Sequence, residues 1–422
     1  MRKLIGEKLV EYRREFHKYP ETSWTEFRTS SRIAEVLSEL GYEIFIGKEV
    51  IEVNSVMGRA SEEEIQSHIE RALAQGANAK LIERMDRYTG VLGILNTGIQ
   101  GPVIALRFDI DANDVIEIST KEHIPYSERF SSVNKNVMHA CGHDGHIAIG
   151  LGLAELLMAQ KHSLTGIIKL IFQPAEESAQ GAKAMVDKGI LDDVDYFISG
   201  HLGFGVKGGT IVVDPSGFLS ITKFDVKYVG KGSHAGAAPN EGNNALLAAA
   251  SAVLNLYSIA PHKDGITRIN VGILNGGTGR NVIAPKAYMQ VETRGSTQEL
   301  NEYMFEKAGK IIEYNAKMYD LSYEIKVMGE GIGCNSDEEL VEIAASEAIK
   351  IEGIKQIQRG FYFGASEDVT WMMKRVQERG GKAIFMIFGT NIAAQHHNEG
   401  FDFEEDILVN AAGVLNKMIS AI

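Results

Sequence analysis

With 422 residues, a formal net charge of −13 and 44% apolar residues, the chain is long enough for more than one core, since single cores stop growing at roughly 250–300 residues. Its composition is that of a folded globular protein, and its charge opposes a nucleic-acid partner or an anionic membrane surface. Two cysteines, Cys141 and Cys334, do not make a disulfide framework, and no apolar run has the length of a signal peptide core or a membrane span, so the cytoplasm is the expected location.

Helical periodicity runs through the first forty residues, beginning with the amphipathic "MRKLIGEKLVEYRREFHKYPE". "SEEEIQSHIERALAQG" follows with a capping box, Ser61 bonding forward and Glu64 bonding back. It belongs to a long helical excursion around residues 50–90, expected to be a structural cover. From residue 90 short β-branched runs alternate with helical patterns: "GVLGIL", "PVIALRF", the helix after "GHDGH", "GIIKLIF", "YFISG", "GTIVV". Such alternation predicts an α/β domain with a mostly parallel sheet flanked by helices. Between 218 and 330 the order becomes strand, helix, strand, strand, helix, strand, the βαββαβ plan of a ferredoxin-like α+β insert. The last ninety residues return to helix and apolar strand. The expected organisation is a discontinuous catalytic domain, 1–217 and 331–422, interrupted by a lid or dimerisation domain, 218–330.

"MHACGHDGH" places Cys141 and His143 in a loop feeding a helix, where Asp144 is positioned to cap. Thiolate and imidazole are ligands that borderline divalent metals prefer. An open α/β sheet builds its sites beyond the carboxyl ends of its strands. There "GIIKLIF" runs into Glu176 and Glu177, "YFISG" into His201, "PVIALRF" into Asp109 and Asp111, and "KAIFMIFG" towards His396 and His397. Singly, each is more often a turn former or a solvated group. Five such loops on one edge point instead to two metal ions with a free carboxylate as general base, the arrangement that hydrolyses amides. The order of residues leaves open which glutamate ligates and which shuttles protons. Thiol catalysis by Cys141 is disfavoured, because a cysteine nucleophile has no need of tandem glutamates.

The segments "ALRFDIDA", "MHACGHDGH", "FQPAEESAQGA", "GHLG", "GKGSHAGAAP", "GRNVIAP", "ETRG", "GASED" and "HHNEGFDFEED" together resemble the aminoacylase and glutamate-carboxypeptidase family of dinuclear metallopeptidases, in its amidohydrolase branch, over nearly the whole chain. The resemblance implies metal ligands at Cys141, His143, Glu177, His201 and His397, the catalytic base at Glu176, and an orienting role towards His143 for Asp109. His396 would be a neighbour. It also implies that His234, Asn281 and Arg294 of the insert hold the substrate's carboxylate or the developing oxyanion, with His234 supplied across a subunit interface. The expected reaction is metal-dependent cleavage of an aroyl- or acyl-amino acid, p-aminobenzoyl-glutamate being the leading candidate. A general N-acyl amino acid or hippurate-type hydrolase is the alternative; a non-catalytic, metal-bound binding protein for folate fragments is another, against which Glu176 counts. Manganese is the implied metal, whereas Cys141 alone favours zinc. A homodimer, or a heterodimer with a homologous subunit, is expected. Asn113 and Asp114 stand where the branch usually has Leu-Pro, and Asn398 and Glu399 where Ser-Pro is common, which bears on the substrate pocket.

Overall fold

A computed structural model describes residues 2–422. The chain forms two compact units, one holding the residues up to Ser216 with Cys334–Phe363 and Asp368–Ile422, the other Gly217–Gly333 and Gly364–Glu367. The smaller unit's main segment ends at Gly333, and a short later segment, Gly364–Glu367, also joins it.

In chain order the larger unit begins with strands β1 (Glu43–Ile46), β2 (Val91–Asn96), β3 (Val103–Asp109), β4 (Ile167–Gln173), β5 (Tyr196–Leu202) and β6 (Thr210–Val212). The smaller unit supplies β7 (Ser220–Val229), β8 (Thr267–Gly276), β9 (Lys286–Gly295) and β10 (Ser322–Gly331), after which β11 (Gln356–Gln358) and β12 (Lys382–Phe388) return to the first sheet. That sheet has eight strands in the order β1-β2-β4-β3-β5-β12-β6-β11. Its centre, β4-β3-β5-β12, is parallel throughout, and antiparallel pairs join β1 to β2, β2 to β4 and β6 to β12. The central strands are apolar on both faces because helices cover both faces; in β3 and β4 every residue but the first is buried.

The helix His143–Ala159 is apolar nearly all round and almost wholly buried, as a helix enclosed on every side must be. It packs against the helices Arg2–Lys18 and Asp406–Ala421 and against β3. Gly150 permits this approach: a Cβ there would lie 2.7 Å from the Phe172 ring and 2.8 Å from that of Phe108. The N-terminus of this helix is thereby fixed over the carboxyl ends of β3, β4 and β5. Two local expectations change. The helix starts at His143 itself, behind Gly142 in the left-handed region (φ 89°) with no side-chain cap, so Asp144 is a first-turn residue. β5 also extends through His201 to Leu202.

The excursion contains the helices Glu62–Ala74 and Ala79–Met85, with the Ser61–Glu64 capping box in place. Ile65, Ile69, Ala72, Ile82 and Met85 bury one stripe in the main core, and Trp24 Nε1 donates to the carbonyl of Met57 at 2.8 Å. The smaller unit is the ferredoxin-like plan: strand order β10-β7-β9-β8, all pairs antiparallel, with helices Ala245–Leu256 and Gln298–Met318 closing a core around Phe224, Val226, Met289 and Ile312. No helix among the described residues is long and apolar enough to cross a membrane.

Candidate metal centre

Beyond the ends of the parallel strands, sulfur, nitrogen and oxygen donors converge. Cys141 Sγ, a His143 ring nitrogen and a Glu177 carboxylate oxygen all lie within 4.8 Å of one another. His143 Nδ1 donates to the Asp111 carbonyl at 2.9 Å, which orients the ring. Its Nε2 then faces inward, buried, with no hydrogen-bond partner among the described residues. On β5, His201 Nδ1 donates to the Leu202 carbonyl at 2.8 Å, and the opposite nitrogen lies 3.5 Å from Cys141 Sγ. His397 Nε2 lies 3.2 Å from Glu177 Oε2. Its backbone is left-handed (φ 65°), a conformation non-glycine residues adopt at a cost, and its N–H bonds the Ala140 carbonyl at 2.8 Å.

The tandem glutamates sit on a turn that other carboxylates hold. Pro174 ends β4, Ala175 takes a left-handed φ of 55°, and its N–H donates to Glu26 at 2.9 Å. The Asp111 carboxylate accepts the N–H of Glu176 at 3.1 Å on one oxygen and that of Glu177 at 3.0 Å on the other. Ser23 Oγ donates to the same group at 2.9 Å. Glu176 Oε2 is 3.8 Å from His143 Nε2, so the first glutamate's carboxylate faces the donor cluster too.

Electrostatics agree with a cation-binding role. Burial pushes the Cys141 thiol well above its usual range, and the carboxylates of Glu177 and Glu176 add to the effect although His143 opposes it. Only a strong local positive charge makes a thiolate in such a place. Burial holds the His201 imidazole neutral, well below its ordinary range, the state a metal requires. For Glu177, burial acts upward, but the His397 bond and the charges of His143 and His397 carry the carboxyl down to about 2. The donor set therefore fits a divalent cation of borderline softness.

Around these candidate donors the structure adds residues to which the sequence assigned less or nothing. Asp109, expected to orient His143, lies 3.7 Å from its Nε2, beyond hydrogen-bond length. Its carboxylate instead accepts Arg107 Nη1 at 2.6 Å and pairs with His146 Nδ1. The orienting acceptor for His143 is the neighbouring Asp111. His146 Nε2 accepts the Leu202 N–H at 3.0 Å, so its proton sits on the Asp109 side and the residue braces the end of β5 beside His201. The signal for His146 was its place three residues after His143, on one helix face. Asp144 bonds Arg13 at 2.9 Å and His17 at 2.8 Å; Arg13 and His17 likewise share a helix face four residues apart. His396 donates to the Leu202 carbonyl at 3.1 Å and stacks on Phe204.

In the smaller unit, His234 and Asn281 come together and both are exposed: His234 bridges Val282, and the Ala235 N–H bonds the Asn281 carbonyl at 2.9 Å. His234 Nδ1 accepts the N–H groups of Gly236 and Ala237, each at 3.1 Å, so the neutral ring carries its proton on Nε2. Arg294, at the end of β9, directs its fork to Glu292 at 3.0 and 3.2 Å.

The model of peptidase family M20/M25/M40 matches residues 105–421. The chain belongs to that family. It is 46% identical to one of the subunits of p-aminobenzoyl-glutamate hydrolase from Escherichia coli (strain K12), over 97% of this chain and 95% of the relative. Indole-3-acetyl-aspartic acid hydrolase of Enterobacter agglomerans is 44% identical over 98% of this chain and 95% of its own. Among solved structures, the aminobenzoyl-glutamate utilization protein from Klebsiella pneumoniae superposes with a TM-score of 0.87 at 38% identity, covering 100% of this chain and 97% of the other. As a member of the M20 family with these relatives, the protein is a metal-dependent amidohydrolase acting on amide bonds, on the α/β-plus-insert fold expected from the sequence.

Proposed function

We propose that the protein hydrolyses p-aminobenzoyl-glutamate to p-aminobenzoate and glutamate, using Cys141, His143, Glu177, His201 and His397 to hold two divalent cations, manganese foremost. The observation that carries the substrate is the 46% identity, across nearly the entire chain, to part of a p-aminobenzoyl-glutamate hydrolase. The indole-3-acetyl-aspartic acid hydrolase at 44% identity favours a second reading. In both cases the amine product is an acidic amino acid, so the class is an aroyl or acyl amide of glutamate or aspartate.

Cations held by these residues would supply Lewis acidity towards the attacking water and the scissile carbonyl. Glu176, oriented by the Asp111 contact to its N–H, takes the proton from the attacking water and passes it to the departing amine. His234, whose proton lies on Nε2 through the two bonds to Nδ1, donates to the oxyanion. Asn281 binds beside it. Arg294 receives a substrate carboxylate by exchanging Glu292, since a planar fork bonds both oxygens of either.

The working form is a dimer in the cytoplasm, with an identical or homologous chain, and His234 serves the neighbouring chain's site. Its support is the edge of the smaller sheet, where β8 has no strand beyond it among the described residues and exposes Ile273 and Leu274, and the adjacent helix, which exposes Leu247 and Leu254. Unpaired edges of this kind invite pairing about a two-fold axis. The test is an assay of the purified chain, stripped and resupplied with manganese or zinc, against p-aminobenzoyl-glutamate, indole-3-acetyl-aspartate, hippurate and N-acetyl amino acids. Preferential cleavage of hippurate or N-acetyl amino acids would replace this reading with the general amidohydrolase.

A further inference from the structure

The N-terminal helix Arg2–Lys18 places a buried guanidinium between the helix turn that starts at His143 and the loop that carries His397. Arg13 is 1% exposed. Its Nε donates to Asp144 Oδ2 at 2.9 Å, its Nη1 to Glu405 Oε1 at 3.1 Å and its Nη2 to Asp402 Oδ1. The guanidinium centre lies 4.3 Å from the Phe403 ring centroid and 5.3 Å from that of Phe130. Asp144 directly follows His143; Asp402 and Phe403 belong to the same loop as His397, between β12 and the helix Asp406–Ala421. One helical turn later, His17 bonds Asp144 at 2.8 Å and Glu117 at 3.0 Å.

This arrangement has mechanical consequences. The loop that leads into the helix at His143 and the loop that carries His397 touch directly at the His397 N–H and the Ala140 carbonyl, while His397 is held in a left-handed backbone that relaxes unless its surroundings over-determine it. Asp144 and Asp402 are both buried, at 0% and 3% exposure; without the guanidinium Asp144 keeps its bond to His17, but Asp402 becomes an uncompensated buried charge that draws in water. The planar fork spans three carboxylates, Asp144 on the helix turn after His143 and Asp402 and Glu405 on the segment after His397, which a lysine ammonium does less well.

We infer that Arg13 is a positioning residue for the metal centre, holding His143 and His397 at a common distance by acting through Asp144 and Asp402. The inference rests on the ligand assignment proposed above. Partners outside the ligand shell typically alter metal affinity by about 10–100-fold when removed. The experiment is calorimetric titration of manganese(II) into stripped full-length protein for the wild type, Arg13→Met, Arg13→Lys, Cys141→Ala and a matched control, Arg28→Met. Arg28 is also buried and ion-paired, at 2.9 Å to Glu15, but is not bonded to either ligand loop. Arg13→Met is expected to weaken manganese binding about 10–100-fold, Arg13→Lys to restore part of it, and Arg28→Met to leave it within about twofold. Wild-type affinity in a folded Arg13→Met, or an equal loss in Arg28→Met, overturns the positioning role. If Arg13→Met does not fold, Asp402→Asn is judged by the same criterion. Undiminished binding in Cys141→Ala overturns the ligand assignment instead; a loss there with Arg13→Met unchanged overturns only the inference about Arg13.

Discussion

Asp111→Asn isolates the turn that carries the two glutamates. In the wild type one carboxylate oxygen receives the Glu176 N–H at 3.1 Å and the other receives the Glu177 N–H at 3.0 Å, and the residue is fully buried. An amide of the same shape keeps one acceptor and turns a second N–H donor towards a backbone donor. One N–H is left unpaired, at about 1–3 kcal/mol, and the remaining bond loses its charge assistance. The expected loss is about 2–4 kcal/mol, or a urea midpoint lower by roughly 1 M at a slope of about 3 kcal/mol/M. Tryptophan fluorescence reads it selectively, because the chain's two tryptophans, Trp24 and Trp371, both belong to the larger unit. Turnover falls with it, since a displacement of about 1 Å at a catalytic group costs on the order of 10²-fold. A variant with both the wild-type midpoint and wild-type turnover would refute the claim that Asp111 holds the turn.

The other expectations concern metal, base, interface and pH. Elemental analysis of reconstituted protein should find two divalent ions per chain, with Cys141→Ala and His143→Ala each lowering occupancy; full activity with none bound refutes the centre. Glu176→Gln should keep its metal and lose at least about 10²-fold in turnover, whereas Glu177→Gln should lose metal as well; near-normal turnover in the first removes Glu176 from the mechanism. Mixed His234→Ala and Glu176→Gln protomers should regain partial activity if His234 works across an interface, and the absence of recovery in hybrids verified by mass spectrometry would place it elsewhere. Burial acts to lower the His17 pKa, but the bonds to Asp144 and Glu117 outweigh it and raise it from 6.5 to about 9. Its roughly 3 kcal/mol of stabilisation is thus complete below pH 6.5 and is lost as pH rises through 9. Denaturation midpoints measured across that interval should fall in the wild type and stay flatter in His17→Asn.

Local sequence already determined the elements and most of the donors. β-branched runs bounded by glycine and proline became β3, β4, β5 and β12, because a strand buried on both faces must be apolar throughout. The pattern of the insert similarly implied its ferredoxin-like order. Donors at strand ends were legible because a parallel sheet delivers them to one edge. The partners of those donors were not legible. That Asp111, and not Asp109, orients His143, that His146 braces β5, and that Arg13 reaches Asp144 and Asp402 depend on contacts between residues far apart in the chain. A helix face records that a polar residue is buried only once its neighbour is known. Side-chain period fixes direction, but distance across a core is set by packing, here by a helix brought against the sheet at Gly150. The sequence therefore determined which groups are present and on which edge they emerge, and tertiary packing alone decided which atom of each faces the others.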